Sequence, residues 1–548
     1  MKCMRRIIIL WIIFAAYFNP SGQILFAQNI IYNAHGWQFR DYRVDSIYGA
    51  GITKAYDELV RDKKAIPVIV AVIDNGIDTA HSALSSALWV NKKDIPGNGI
   101  DDDHNGYIDD IHGWNFLGGK GGENITVESL ESYREYYRFC SNGIPTNTSA
   151  DKLDSEYMSK VKAFYLRDSA SELRNVNMLS QVIPQMQSAD SLLKSRLGKD
   201  SIYVHDVLEF EPTDSAFSTV KKNTLLYFKK YGISPDMSLG KFIAEAEKYL
   251  ESSRYKLADF SNDPNALRKK IVGDNYNDLN DRNYGNNNIS AGNPSHGTHV
   301  AGIIAALNQS EKPSVGICQY AKIMVLRAVP DGDERDKDIA LAIRYAVDNG
   351  ARIINMSFGK YFSPDEDWVD AAVKYAETHD VLLVHAAGNE MRNIDSITHY
   401  PDPYYGQSRA KSDSYLTVGA STGGPDSVLF VRSSNYGKKQ VDLFAPGVKI
   451  YSTVNGNQYA AYSGTSMAAA VVTGIAAMIL EYYPRLSAKQ LKGILLQSVT
   501  RPPHPMVRTS VPGKKVDFAE LSVSGGIVNA YNALLLASHT QGERKLTP

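Results

Sequence analysis

Between residues 323 and 497, short β-branched runs alternate with amphipathic stretches of helical length. That alternation restricts the fold more than any other feature. Residues 323–328, 351–356, 381–386, 415–420 and 441–444 read as strands, and 336–348, 365–378, 467–482 and 487–497 as helices. Far upstream, residues 67–73 (PVIVAVI) form another strand that is apolar throughout. Strands with no polar alternation are buried on both faces, and strands joined through helices run parallel. The expected fold class is therefore α/β, a doubly wound, mostly parallel sheet with helices on both faces.

Composition removes several alternatives. With 548 residues, 43% apolar and 22% charged, the chain is neither disordered nor collagen-like. Lys plus Arg is 59 against 60 for Asp plus Glu, a net charge of −1. That balance creates no basic field, so no nucleic-acid partner is expected. The three cysteines, Cys3, Cys140 and Cys318, are too few for a disulfide scaffold.

The texture changes over 124–266. Tyr157, Val161, Phe164 and Tyr165 recur at helical spacing, as do Leu239, Phe242, Ile243, Ala246 and Leu250, with charged residues between them. A mainly helical insertion over 124–266 is expected, dividing the α/β domain into 65–123 and 267–537. Residues 28–64 read as an N-terminal lead-in, 286–293 as an Asn-rich loop and 538–548 as a tail.

At the N-terminus, Lys2, Arg5 and Arg6 precede an apolar run over 7–18 and a polar break over 19–22. This is the pattern of a signal peptide, 1–27, cleaved after Ala27. The run falls short of the roughly 20 apolar residues a spanning helix needs. An uncleaved anchor is the competing reading. No cysteine follows the apolar core, so lipid anchoring is not expected. No later stretch reads as long enough to span a bilayer. The expected location is extracytoplasmic, secreted or periplasmic, where Cys140 and Cys318 could pair. Oligomeric state is not legible.

Three short motifs sit at element ends. Asp74-Asn75-Gly76 closes the first strand, where ligand groups gather in open α/β sheets. Alone it reads more readily as a turn. Ser295-His296-Gly297-Thr298-His299 opens an apolar helical run. Zinc binding by His296 and His299 is the alternative, although the intervening Glu of the usual zinc pattern is absent. Gly464-Thr465-Ser466-Met467-Ala468 opens an Ala- and Val-rich helix, where backbone N–H groups and the dipole favour negative charge. Alone it reads as an N-cap.

Taken together, Asp, His and Ser in that order on one α/β sheet form a triad arrangement. The chain here resembles the subtilisin-like serine peptidases, the subtilases. His-Gly-Thr-His-Val-Ala-Gly around His296 and Gly-Thr-Ser-Met-Ala around Ser466 match that family's signatures. Residues 72–78 match its aspartate motif, with Asn75 where Ser or Thr is usual. Ala386-Ala387-Gly388-Asn389 resembles its oxyanion motif, and Asn355-Met356-Ser357-Phe358-Gly359 its substrate-binding strand. The likeness covers about 65–118 and 285–537.

The resemblance implies a serine endopeptidase of broad specificity, acting on protein or peptide substrates through an acyl-enzyme. Ser466 would be the nucleophile, His296 its base and Asp74 the partner that orients the imidazole. Asn389 and the Ser466 N–H would bind the oxyanion. Ser357, Phe358 and Gly359 would pair with an extended substrate, and Gly359 and Gly388 would line the first pocket. No cofactor is required for this chemistry.

Departures accompany the likeness. Asp74 and His296 lie 222 residues apart, where the family more often has a few tens. The insertion accounts for the excess, as a lid, an exosite or a neutral decoration. After Ser466 the chain reads Met-Ala-Ala-Ala, where a small residue and Pro usually follow Met-Ala. The stretch before the first strand is short for the separate prodomain that many relatives carry.

Structural calcium is a further expectation. Asp101, Asp103, Asn105 and Asp109 stand at positions 1, 3, 5 and 9 of a loop with Gly106 at position 6 and Tyr107 at position 7. His112 replaces the Glu of position 12, and an Asx-rich turn is the alternative. A second acidic run, 274–281, lies at the other end of the insertion. Leu307-Asn308-Gln309-Ser310 resembles the family's calcium loop, but its usual aspartate partner is here Ala83.

Other classes fit less well. A peptide-binding pseudo-peptidase needs a broken triad, and this one reads as intact. A calcium-dependent adhesion protein leaves the five motifs unexplained. A lipase or esterase uses Gly-x-Ser-x-Gly, which the residues around Ser466 do not match.

Overall fold

The structure is a computed structural model and describes residues 36–142, 149–231, 237–259, 262–307, 316–405, 409–425, 428–503, 505–510 and 515–545. The signal-peptide segment and Asn308–Ser310 of the resembling calcium loop lie outside the described residues.

Among the described residues the chain divides into two compact units, 142–262 and 36–141 with 263–545. The larger unit carries seven parallel strands: β1 Val68–Asp74, β2 Gly113–Asn115, β3 Ala321–Arg327, β4 Ile353–Met356, β5 Leu382–Ala386, β6 Tyr415–Ser421 and β7 Leu443–Pro446. Their order is β2-β3-β1-β4-β5-β6-β7. Every neighbouring pair is parallel, so all C-terminal ends share one edge. The expected α/β class holds. Strand ends differ by a residue or two. β1 begins at Val68, because Pro67 has no N–H to donate to a ladder. Gly113–Asn115 gives no sequence signal at three residues.

An antiparallel hairpin, β8 Ile450–Val454 with β9 Gln458–Tyr462, follows the sheet. The helices used below are α1 Glu131–Asn142, α2 Ser149–Leu197, α3 Ser215–Tyr231, α4 Leu239–Asp259, α5 Ser295–Ala305, α6 Asp336–Asp348, α7 Glu366–Thr378 and α8 Thr465–Tyr482.

Alternation along β1 distributes its side chains to two cores. Val70 and Val72 face a cluster containing Val300 and Ile304 of α5 and Val471 and Ile475 of α8. Ala71 and Ile73 face the opposite cluster, with Ile339 and Ile343 of α6 and Val369 and Val373 of α7. This is why β1 has no polar position before Asp74. By length and composition, Thr465–Tyr482 is apolar enough to cross a membrane, contrary to the sequence expectation, but 94% of it is buried inside this unit.

The smaller unit is helical. Ile183 and Met186 of α2 share a core with Phe228 of α3 and with Leu239, Ile243, Ala246 and Leu250 of α4; Phe242 packs on its edge. Val161 is buried, while Tyr157, Phe164 and Tyr165 are half-buried.

This unit is shorter than the 124–266 read from the sequence. α1 up to Ser141 belongs with the sheet. Its buried Glu131 contacts Lys360 at 2.7 Å, and Arg134 donates to the carbonyls of Asp333 and Glu334 at 3.2 Å. Residues 263–266 also return to the sheet unit, where Arg335 donates to Asn265 Oδ1 at 2.7 Å and Pro264 O at 3.2 Å.

Cys140 and Cys318 are free thiols, one exposed and one buried. The Cys318 thiol is turned to Glu481 Oε1 at 2.7 Å.

Candidate active site

Asp74 is the last residue of β1. Its Oδ1 accepts the Asn75 N–H at 2.8 Å and His296 Nδ1 at 2.7 Å. A carboxylate only accepts, so Nδ1 carries the hydrogen and Nε2 keeps its lone pair. Burial alone would lower the pKa of His296. The charge of Asp74 and its hydrogen bond outweigh burial, and the net shift is upward. His296 is the second residue of α5.

Close approach fixes that helix against β1. A Cβ on Gly297 would lie 2.2 Å from the Gly76 carbonyl, so only glycine fits. Asn75, the departure from the family pattern, accepts the Gly297 N–H at 3.0 Å and donates to Asn293 O at 3.0 Å. The β8–β9 hairpin holds the other side, with Thr453 Oγ1 donating to Thr298 O at 2.7 Å and Ser452 Oγ to His299 O at 2.8 Å.

His299 has a separate role from His296. Its Nε2 bonds Ala460 O at 3.1 Å and its ring stacks on Tyr462 at 4.4 Å. Burial, with a smaller contribution from His296, lowers its pKa to about 3. With its Nε2 committed to Ala460 O and its ring stacked on Tyr462, His299 is packed apart from the His296–Asp74 pair.

Ser466 is the second residue of α8. Its N–H is among the first four of the helix, which have no partner four residues back. Its Oγ donates to Ser357 O at 3.1 Å, and Ser357 Oγ returns a bond to Ser466 O at 3.0 Å. Asn355 Nδ2 supports Ser357 Oγ at 2.9 Å, and Thr473 of α8 holds Asn355 Oδ1 at 2.8 Å. The serine hydroxyl therefore rests on the strand following β4 rather than on His296.

Asn389 follows β5. Its Oδ1 accepts the Thr465 N–H at 2.9 Å and Thr465 Oγ1 at 3.2 Å. With the oxygen committed, Nδ2 faces away from Thr465 as a donor. Thr465 lies inside a motif read for its serine, and its part in orienting Asn389 emerges only from the structure. Phe358 O accepts His385 Nε2 at 2.8 Å, and Lys360 pairs with Tyr400 through N–H and C=O at 3.0 and 2.8 Å. Between them, the Gly359 N–H and C=O have no partner among the described residues. Gly388 has φ +98°, a left-handed conformation that glycine adopts without strain.

The acidic loop departs from its expected ligand pattern. Asp101 and Asp103 come together with Asp94, each offering an oxygen within 4.8 Å of the others. Asp109 does not join them. It has φ +53°, and its carboxylate accepts the N–H groups of Gly97, Asn98 and Gly99 at 2.7, 3.2 and 3.0 Å. Asn105 turns its Nδ2 to Asp110 at 2.9 Å. In the second acidic run, Asp274 is committed to Arg268 at 2.8 Å and Lys337 at 2.7 Å.

The sequence matches the model of the subtilase family over residues 66–519. It is 35% identical over 212 residues to a thermostable alkaline protease of Halalkalibacterium halodurans, covering 38% of this chain and 53% of the relative. It is 40% identical over 185 residues to a thermophilic serine proteinase of a Bacillus species, covering 34% and 42%. With subtilisin DY of Bacillus licheniformis the identity is 34% over 207 residues, covering 37% and 70%. The chain thus spans about half the length of the first two relatives.

Proposed function

The chain belongs to the subtilase family, and from that premise we propose that it is a secreted serine endopeptidase that hydrolyses protein and peptide substrates through an acyl-enzyme. The observation that carries this reading is the 2.7 Å bond from His296 Nδ1 to Asp74, which leaves Nε2 as a base on the sheet edge where α8 presents Ser466.

In this mechanism an extended substrate pairs with Gly359 and displaces the Ser466 hydroxyl from Ser357 O. The hydroxyl turns to His296 Nε2, which takes its proton as Oγ attacks the scissile carbonyl. Asp74 stabilises the imidazolium that forms. Asn389 Nδ2 and the Ser466 N–H donate to the oxyanion. His296 then protonates the leaving amine, and water repeats the sequence on the acyl-enzyme. Each of these steps uses the chain's own side chains and backbone N–H groups, so the mechanism calls for no cofactor. Backbone pairing tolerates many side chains, which favours broad specificity outside the first pocket.

Casein cleavage by the protein and by Ser466→Ala tests the reading. Cleavage by the first and its loss in the second are expected. Equal cleavage by both would contradict it. Export is tested separately, by N-terminal sequencing of protein recovered outside the cytoplasm, with a start at Gln28 expected.

A further inference from the structure

Gly359 and Gly388 flank the place assigned to the substrate side chain that precedes the scissile bond. A buried imidazole lies between them. A Cβ on Gly359 would stand 2.3 Å from His399 Cε1 and 2.8 Å from its Nε2, and a Cβ on Gly388 would stand 2.9 Å from the same Nε2. Such distances leave no room for a side chain. His399 therefore lies directly against both backbones and fills the space that their missing side chains leave.

The ring is held firmly. His385 stacks behind it at 5.3 Å, and Tyr361 meets it edge-on at 5.3 Å. His385 is itself fixed by its bond to Phe358 O. The next residue, Tyr400, is paired through its backbone with Lys360, so the His399 segment is laced to the substrate strand. His399 is 7% exposed, and its Nδ1 is buried without a partner. An orphaned buried N–H is rarer than an orphaned acceptor, which puts the hydrogen on Nε2, facing the glycines. Burial, aided by Arg392, lowers its pKa to about 4, so the ring is neutral at neutral pH.

We propose that His399 is a specificity-determining residue that forms a raised floor in the first pocket. The pocket then takes Gly, Ala or Ser before the scissile bond and rejects aromatic and long aliphatic side chains. The walls are glycine backbone, so depth is set by what stands between them, and an imidazole there occupies the volume an aromatic ring would need. Its Nε2–H offers a donor to a serine hydroxyl. The inference rests on the peptidase reading above.

The test uses the full chain and four peptide p-nitroanilides that differ only in the last residue: Ala, Ser, Leu and Phe. Enzyme concentration is set by active-site titration. Wild type is expected to favour Ala and Ser over Phe by at least about tenfold in kcat/KM. His399→Gly is expected to raise the Phe-to-Ala ratio of kcat/KM by at least about tenfold. His399→Ser serves if the glycine variant does not fold, and the wild-type profile stands without either. Wild type that turns over Phe or Leu as fast as Ala overturns this inference alone. Wild type that is folded and turns over none of the four overturns the peptidase reading and the inference with it.

Discussion

Thr465 holds Asn389 by its carboxamide oxygen, through its N–H at 2.9 Å and its hydroxyl at 3.2 Å. The residue before the proposed nucleophile thus aims the proposed oxyanion donor. Asn389→Leu is expected to lower kcat by about 10²–10³ with little change in KM, the cost of losing one oxyanion donor. Thr465→Val keeps the N–H bond and loses the hydroxyl, and kcat should fall by about fivefold to tenfold. Steady-state kinetics on a peptide substrate check both. A rise in KM with constant kcat would assign these residues to binding instead.

The pairing of His296 with Asp74 sets the pH profile. A general base must be neutral, and the net upward shift of His296 places the acid limb of kcat/KM above its ordinary value of 6.5. Asp74→Asn removes the raising charge, so the limb should move to lower pH as turnover falls by about 10⁴. The stability sign is opposite to the activity sign. A raised histidine pKa stabilises the fold fully below the unfolded pKa, and that contribution is lost as pH rises through the folded value. An unmoved limb in the variant would contradict the assignment.

Lys360 follows the proposed substrate-binding segment and is buried against Glu131 at 2.7 Å and Asp336 at 2.8 Å. Lys360→Met would leave these carboxylates short of a cation, at an expected cost of about 3–5 kcal/mol. Burial raises the pKa of Glu131, but Arg134 and Lys360 outweigh it and hold the carboxyl well below the usual range. A depressed carboxylate stabilises above its unfolded pKa of about 4.3 and loses that contribution as pH falls through the folded value. Denaturant unfolding from pH 7 downward should therefore show a steeper acid loss in wild type than in Lys360→Met.

Asn75→Ala removes the acceptor for Gly297 and the donor to Asn293. A loss of about 1–2 kcal/mol is expected, with a lower kcat because the first turn carrying His296 loosens. Thermal unfolding and turnover measured on one preparation would show both changes. Unchanged turnover would mean that Gly297 and the β8–β9 hairpin suffice to seat the helix.

The positions proposed as a triad stand out in the sequence because each lies at an element end beside small residues, where periodicity breaks. The edges of the insertion were not. α1 has the same amphipathic spacing as the helices that follow it, and spacing cannot tell which body a face packs on. Only its Glu131–Lys360 ion pair and the hydrogen bonds from Arg134 to the Asp333 and Glu334 carbonyls decide that. The acidic loop misled through backbone geometry. Asp109 sits at a turn with positive φ and closes the 97–99 loop, whereas Asp94, which joins the cluster, precedes the run that drew attention. His399 lies in Thr398-His399-Tyr400-Pro401, which carries no pattern, and only the fold brings it between Gly359 and Gly388.

The central claim is that Ser466 is a nucleophile activated by His296. Labelling the folded chain with a fluorophosphonate, followed by peptide mass mapping, tests it most directly. One adduct on Ser466 is expected, strongly reduced in His296→Ala. A folded wild-type chain that takes no label, or takes it at another serine, would contradict the account.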